Sequence, residues 1–361
     1  MLCRPIDENR AAPRSPPANS RMVWSNGDRM ANFDIVTGGA GFIGSHLVDS
    51  LLGEGRHVLA IDDLSVGRRS NLARHDGNPN FRFVEASVVD RGRMMELFDG
   101  ADRVFHLAAL ADIVPSVQTP GRYFDANVNG CYAVAEAARH HGVSRLLYAA
   151  SSSCYGIPDI FPTPESAAIN PRYPYALTKY LGEQILLHWG QLYGVPVTSL
   201  RLFNVYGPRA RTSGTYGAVF GVFLAQKLAN KPLTIVGDGT QARDFTYVSD
   251  VVRAFLAAAE RGRGGAIYNV GSGEAVSVNR LVELIGTDQV VHIPKRPGEP
   301  DCTFADTARI TAELGWKAQV PIEAGVAQLL ANLDYWRDAP VWTPDRIAEA
   351  TQDWFKYITD R

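Results

Sequence analysis

The sequence predicts an α/β protein: a doubly wound parallel sheet followed by a smaller mixed α/β lobe. Three observations predict it. Apolar runs of strand length alternate with helix-length segments from about residue 33 to 204, the pattern of right-handed βαβ units. The first strand, Ile35-Val36-Thr37, runs into Gly38-Gly39-Ala40-Gly41-Phe42-Ile43-Gly44, a glycine turn that opens a helix. The second strand, His57 to Asp63, ends in two acids, Asp62 and Asp63.

Each glycine of that turn has a task. Gly38 permits the tight turn out of the strand, Gly41 lets the backbone approach a pyrophosphate, and Gly44 lets the new helix pack closely on the sheet. The helix N-terminus offers free N–H groups and the positive end of its dipole to phosphates. Asp62 lies 18 residues beyond Gly44, near the spacing expected of a carboxylate that binds an adenosine ribose. Strand, turn, helix, strand and acid together predict a dinucleotide site.

The remaining elements follow in order. The first helix runs to about Glu54. Phe81 to Ala86 is a third strand, Asp90 to Phe98 a short helix, and Arg103 to Ala109 a nearly all-apolar fourth strand suited to a sheet covered on both faces. A helix carries Asn127 through His140. Arg145 to Ala150 is the fifth strand, Pro174 to about Tyr193 a helix, and Val197 to Asn204 the sixth strand. From Gly207 the segments shorten: strands at Leu233–Val236, Phe245–Val248 and Ile267–Val270, and helices from Ser249 or Asp250 (the expected N-cap) to Glu260 and from Asn279 to Ile285. Residues 32–207 are read mainly as the dinucleotide-binding domain. Residues 208–335 are mainly a lobe closing over the sheet's carboxyl edge, with the chain crossing between the two. Residues 336–361 form a helical tail with Trp354 and Phe355, packed on the body. Residues 1–31, polar and proline-rich around Ser15-Pro16-Pro17, read as a disordered leader without the apolar core of a secretory signal.

Composition bounds the function. The 361 residues suffice for a large core. A formal net charge of -2 gives no electrostatic case for nucleic acid or an anionic membrane. No apolar run approaches a membrane span. Cys3, Cys131, Cys154 and Cys302 are widely separated, with no metal-binding spacing, so no metal is expected and a reduced, cytoplasmic setting is the default.

Two features carry chemistry. Tyr175 and Lys179 stand at i and i+4 and share one face of their helix. A lysine there can lower the phenol's pKa toward general-base duty, although the spacing alone also describes an ordinary amphipathic helix. Ser151-Ser152-Ser153 follows the fifth strand, where active sites of open α/β sheets lie.

At these residues the sequence resembles the extended short-chain dehydrogenase/reductase superfamily, the nucleotide-sugar epimerases and dehydratases. The resemblance spans about residues 33 to 335. It is carried by Thr37 to Gly44, Asp62-Asp63-Leu64, His106-Leu107-Ala108-Ala109, Ser151 with Tyr155-Gly156, Tyr175 with Lys179, Arg201 to Gly207, Arg243-Asp244-Phe245 and Arg296-Pro297-Gly298-Glu299.

The resemblance implies a Rossmann fold, NAD as cofactor, a homodimer and a role for each matching residue. Ser151, Tyr175 and Lys179 would be catalytic: Tyr175 as base and acid, Lys179 on the nicotinamide ribose, Ser151 on the sugar 4-hydroxyl. NAD would meet Gly38, Gly41, Phe42, Ile43, Gly44, Asp62, Asp63, Ser87, Val88, Leu107, Ala108, Ala109, Asn127 and Phe203 as well. The substrate would meet Ser116, Asn204, Ala218, Val219, Thr234, Arg243, Arg296, Glu299 and Thr303 besides Ser151. The two arginines suit a diphosphate because their forks match its oxygens. Ser87 departs from the family, which often has an acid there reaching the adenine amine. Asp62 favours NAD over NADP, since a carboxylate repels a 2′-phosphate. The dimer would use the helices after Asn127 and at Tyr175, through Tyr132, Val134, Ala135, Leu181, Ile185 and Leu186, unless those stripes only pack on the sheet.

The resembling 4,6-dehydratases carry an Asp-Glu pair where Ser152 and Ser153 stand, and the UDP-glucuronate decarboxylases a Glu at Ser153. Hydroxyls cannot do that acid–base work near neutral pH, which leaves 4-epimerisation of a nucleotide sugar, most readily a UDP-hexose. Thr303 and Ala218 are small where a bulky residue would crowd the sugar's 2-substituent, so N-acetylhexoses would fit; Thr303 equally suits a UDP-glucuronate epimerase. A protein that binds NAD without turnover is the alternative of a different class, and the intact Ser151, Tyr175 and Lys179 argue against it.

Overall fold

Every residue of β1 (Phe33–Thr37) is buried, including Asp34, whose carboxylate is held by the forks of Arg56 (2.9 Å) and Arg103 (Nε 2.8 Å). The computed structural model describes residues 32–210 and 219–358; the expected leader and Ala218 lie outside the described residues. From β1 the chain runs through α1 (Phe42–Gly53), β2 (Val58–Asp62), β3 (Phe81–Glu85), α2 (Arg91–Leu97), β4 (Ala101–His106), α3 (Ile113–Gln118), α4 (Pro120–Phe124), α5 (Gly130–His141), β5 (Arg145–Ser151), α6 (Pro174–Tyr193) and β6 (Val197–Leu202). It continues through β7 (Asn204–Tyr206), α7 (Val219–Leu228), β8 (Leu233–Val236), β9 (Ala242–Arg243), β10 (Phe245–Tyr247), α8 (Val248–Arg261), β11 (Ala266–Val270), β12 (Val276–Ser277), α9 (Val278–Ile285), β13 (Val290–Ile293), α10 (Ala308–Leu314), α11 (Ile322–Ala331), α12 (Pro344–Ala350) and α13 (Gln352–Tyr357).

The main sheet is parallel, in the order β11-β6-β5-β4-β1-β2-β3. One face is covered by α1 and α8, through Leu47, Val48, Leu51, Val251 and Phe255. The other is covered by α2, α5 and α6, through Met94, Leu97, Val134, Ala135 and Leu186. Strand order reverses between β1 and β4, which opens a crevice at the carboxyl edge where such sheets bind ligands. The second lobe holds three strand pairs, β7 with β10, β8 with β13 and β9 with β12, around a core that includes Phe220, Phe223, Leu281 and Trp336.

Several expectations change. Ile267–Val270, grouped in sequence with the second lobe, pairs with β6 and completes the first sheet. The sixth strand ends at Leu202, and Asn204–Tyr206 pairs instead with Phe245–Tyr247, because Phe203 N–H bonds to Val270 and Asn204 N–H to Asp244. The cap of α8 is Tyr247, not Ser249 or Asp250. β10 runs into the helix without a break, and the Asp250 carboxylate accepts from the N–H groups of Gln319 and Val320. The helix expected from Asn127 begins as a π-helical turn, Asp125–Asn129, before α5. The helical tail contains two short helices, α12 and α13.

The apolar stripes offered for a dimer are partly spent within the chain. Val134, Ala135 and Leu186 are fully buried against the sheet, while Tyr132, Leu181 and Ile185 are half-buried.

Candidate active site

A cavity of about 700 Å³ lies at the carboxyl edge of the sheet, between the two lobes. Its first end is built by the glycine turn. Gly38 has φ +70°, and a Cβ there would lie 2.7 Å from the Ala108 backbone nitrogen. A Cβ on Gly44 would lie 2.1 Å from the Gly38 carbonyl oxygen, so α1 packs on the turn at a distance only glycine allows. No side chain caps α1, which leaves its first N–H groups for a ligand. At the end of β2, the Asp62 carboxylate accepts from the Ala40 N–H (3.0 Å) and the Leu64 N–H (2.9 Å). Burial raises its pKa and these N–H groups oppose the rise. Gly67 closes on it: a Cβ there would lie 2.7 Å from either carboxylate oxygen. Asp63 is tied to the Ser65 hydroxyl at 2.6 Å. Ser87, Val88, Leu107, Ala108, Ala109 and Phe203 continue the wall. A cradle that any Cβ would fill, an uncapped helix N-terminus and a carboxylate one strand away fit a dinucleotide.

The chemistry-bearing groups meet where β5 and α6 approach. The Ser151 hydroxyl lies 2.7 Å from that of Ser153 and acts on the Tyr175 phenol, holding its pKa down. Burial pushes the phenol above its ordinary range; the Ser151 bond pulls it back, and the Asp112 carboxylate pushes it further up. Lys179 is one helical turn further in, 4% exposed. Its ammonium lies 4.2 Å from the centroid of the Tyr148 ring, and burial lowers its pKa to about 8 against the opposing influence of Cys131 and Glu183. Of the groups around the phenol, Ser151 is the one that lowers its pKa.

At the far end Thr303 donates to Asn204 Oδ1 at 3.0 Å. Arg243 and Arg296 converge on Glu299, at 3.1 and 3.7 Å. Val219 and Thr234 line the same cavity, with Thr234 held by Gln226 at 2.9 Å.

Three expected residues stand behind the wall rather than in it. Lys179 is the first. Asn127 spends its amide on both backbone groups of Leu110 (2.8 and 3.0 Å) and on Thr178 (3.0 Å), so it clamps the loop after β4 to α6. Ser116 is fully buried, and its hydroxyl donates to the Ile113 carbonyl at 2.6 Å, because α3 turns it into the protein.

Sequence reasoning also missed contributors. Arg201 was noted only as part of a motif; it forms a buried pair with Glu183 at 2.8 Å and donates to Tyr155 at 2.9 Å, which fixes α6 against β6. Tyr173 stacks on Tyr175, with ring centroids 6.4 Å apart and planes 6° from parallel. Asp112 lines the cavity. No spacing rule marks the roles of Arg201 and Asp112, whose partners lie far along the chain, and the stack of Tyr173 on Tyr175 depends on side-chain direction.

Residues 35–271 match the Epimerase family, the NAD dependent epimerase/dehydratase family. The chain belongs to that family. Like its other members it is an enzyme fold that uses NAD. Among curated relatives of this family, the UDP-glucose 4-epimerase of Mycolicibacterium smegmatis is 39% identical over 305 residues, covering 81% of this chain and 96% of the relative. The crystal structure of the Thermotoga maritima UDP-glucose 4-epimerase with UDP-glucose matches at 36% identity and a TM-score of 0.78, covering 85% of this chain and 99% of that one. The UDP-N-acetylglucosamine 4-epimerase of Methanobrevibacter ruminantium, in complex with UDP-N-acetylmuramic acid, matches at 32% identity and a TM-score of 0.77, covering 84% and 99%. Family members named as decarboxylases and as a dehydratase match as well. The chain is therefore a nucleotide-sugar epimerase/dehydratase family enzyme.

Proposed function

We propose that the protein interconverts a UDP-hexose and its C4 epimer. One observation carries the reading: Ser151 and Tyr175 line the same cavity wall, with Ser151 acting on the phenol, while the two residues after Ser151, Ser152 and Ser153, bear only hydroxyls. Ser151 binds the sugar 4-hydroxyl and orients the phenol. Tyr175 takes the proton from that hydroxyl and later returns it. Lys179 reaches the nicotinamide ribose from behind the wall once NAD is bound. Bound NAD supplies reversible oxidation at the sugar carbon. The size of the cavity suits a sugar ring that must present both faces, and the lack of an acid after Ser151 argues against loss of the 6-hydroxyl.

Asn204, Arg243 and Arg296 hold the diphosphate, and Val219 and Thr234 meet the nucleobase. The relatives named as UDP-glucose and UDP-N-acetylglucosamine epimerases support the UDP-hexose assignment. Thr303 is small, which supports acceptance of N-acetylated sugars. The half-buried Tyr132, Leu181 and Ile185 support a homodimer, readable by light scattering at micromolar concentration. Free thiols at Cys131, Cys154 and Cys302 support a reducing, cytoplasmic setting; among the described residues no helix is long and apolar enough to cross a membrane.

The test is incubation of the purified protein with UDP-glucose, UDP-N-acetylglucosamine, UDP-glucuronate and GDP- and dTDP-sugars, with products identified by NMR. A 4-epimer of a UDP-hexose is expected. A 4-keto-6-deoxy product or loss of carbon dioxide overturns the reaction, and conversion of UDP-glucuronate alone overturns the sugar.

A further inference from the structure

The C-terminal segment, which the sequence places only against the body, enters the wall of the active-site cavity through Ala339, Pro340, Trp342 and Trp354. Trp354, on α13, is 3% exposed. Its indole N–H donates to the Pro297 carbonyl at 2.8 Å. Its ring faces the guanidinium of the adjacent Arg296, 5.6 Å from the ring centroid. A further neighbour is Tyr173, at 6.2 Å between ring centroids, the ring that stacks on Tyr175. The segment is itself fixed at separate points. Gln118 donates to Asp353 at 3.1 Å, Gln226 to the Trp342 carbonyl at 2.6 Å, and Val114 and Ile358 pack with Trp354.

We infer that Trp354 is a positioning residue that sets Arg296 for the substrate diphosphate. This rests on the nucleotide-sugar reading proposed above. An arginine is a long, flexible side chain, and ordering it only when the anion arrives weakens binding. The indole acts on Arg296 twice, through the backbone of its neighbour and through the face of the ring. A cation over an aromatic face gains electrostatically, and its edge, which here meets Glu299 at 3.7 Å, can turn to phosphate oxygens when substrate binds. The tail thereby becomes part of the substrate site, and its contacts with the diphosphate run through Arg296.

The test is calorimetric titration of full-length protein with UDP, with bound NAD quantified in the same samples. Wild type, Trp354→Ala, Trp354→Phe, Arg296→Gln and the Trp354→Ala, Arg296→Gln double variant are compared. Trp354→Ala should weaken UDP binding roughly 10-fold, the scale of a cation–aromatic contact together with a hydrogen bond. Trp354→Phe keeps a ring but loses the N–H, and should weaken it a few-fold, on the order of one hydrogen bond. In the Arg296→Gln background Trp354→Ala should add almost nothing, since its effect passes through Arg296. NAD content should not change, and in turnover KM should rise more than kcat falls.

Wild-type UDP affinity in Trp354→Ala overturns the inference, as does an undiminished further loss in the Arg296→Gln background. If Trp354→Ala does not fold, Trp354→Phe decides. Weaker UDP binding with NAD retained supports the inference; unchanged binding, or loss of NAD in parallel, overturns it. A wild type that holds NAD yet binds neither UDP, GDP nor dTDP overturns the nucleotide-sugar reading, and this inference with it. UDP binding in the wild type matched by both Trp354 variants overturns this inference alone.

Discussion

Tyr148 holds Lys179 at two points: its hydroxyl donates to the Lys179 carbonyl at 3.1 Å, and the lysine ammonium lies 4.2 Å from the centroid of its ring. His106 and Cys131 fill the space behind, with the His106 ring 3.2 Å from the Cys131 sulfur. Burial lowers His106 to about 3 and raises Cys131 to about 11, so both are uncharged near neutral pH. The ammonium is thus buried with an aromatic face in place of water.

Lys179→Met should stabilise the fold near neutral pH. The unfolded lysine takes up its proton near 10.5 and the folded one near 8. Between those values the unfolded chain binds more protons, so wild-type stability rises with pH across that window. Below it the full cost of the buried cation applies, roughly 3 kcal/mol. Urea unfolding should show Lys179→Met the more stable at pH 7, with the gap narrowing toward pH 10. A gap independent of pH would assign the effect to packing.

Tyr175→Phe should abolish turnover and leave NAD bound. The ring and its stack on Tyr173 remain, and only the proton-transfer group is lost. A positioned acid–base group contributes ~10²–10⁴-fold. The measurement is the steady-state rate together with NAD released on denaturation. A wild-type rate would refute the role of the phenol.

Ser151→Ala and Asp112→Asn should move the acid limb of the kcat/KM profile in opposite directions. Ser151 lowers the phenol's pKa through a hydrogen bond and Asp112 raises it through its charge. Losing the first makes the phenol harder to ionise, so the limb moves to higher pH; losing the second moves it to lower pH. Ser151→Ala should also cost on the order of 10-fold in rate for one lost hydrogen bond. Limbs that move together would show that the profile reports some other group.

Thr303→Tyr should discriminate between sugars. The added ring overpacks the site, at about 1–3 kcal/mol or roughly 5- to 150-fold. UDP-N-acetylglucosamine should lose more than UDP-glucose. Thr303 also bonds Asn204, so Thr303→Val is the control that removes the hydroxyl without adding bulk. Equal losses for both sugars in Thr303→Tyr would place the side chain away from C2.

The cofactor end of the site was legible in the sequence because its constraints are local. Gly38, Gly44 and Asp62 act through backbone within one strand–turn–helix–strand unit, and spacing along the chain reports that directly. The helix Pro174–Tyr193 was likewise legible to the residue, since a proline at its first position and a glycine after its last mark both ends. The substrate end was legible only through resemblance. Arg243 is 56 residues away in the chain from Glu299, and the two segments are joined by Asp244, which is fully buried and accepts from Ser272, Gly273 and Ala305. Trp354 is further still from its partners. The placement of Asn127 and Ser116 behind the wall was not legible, because side-chain direction depends on the elements packed around them.

β11 has a consequence for how this protein can be divided. It is the edge strand beside β6, yet it arrives only after α8 and most of the second lobe's strands. Its Asn269 side chain binds Tyr155 and the Thr163 carbonyl, so it also braces the loop between Ser151 and Tyr175. A fragment ending at Gly207 would leave β6 as an open edge and that loop without its brace. The halves cannot be exchanged as cassettes between relatives at that point. New substrate preferences must instead be grafted loop by loop onto the whole chain.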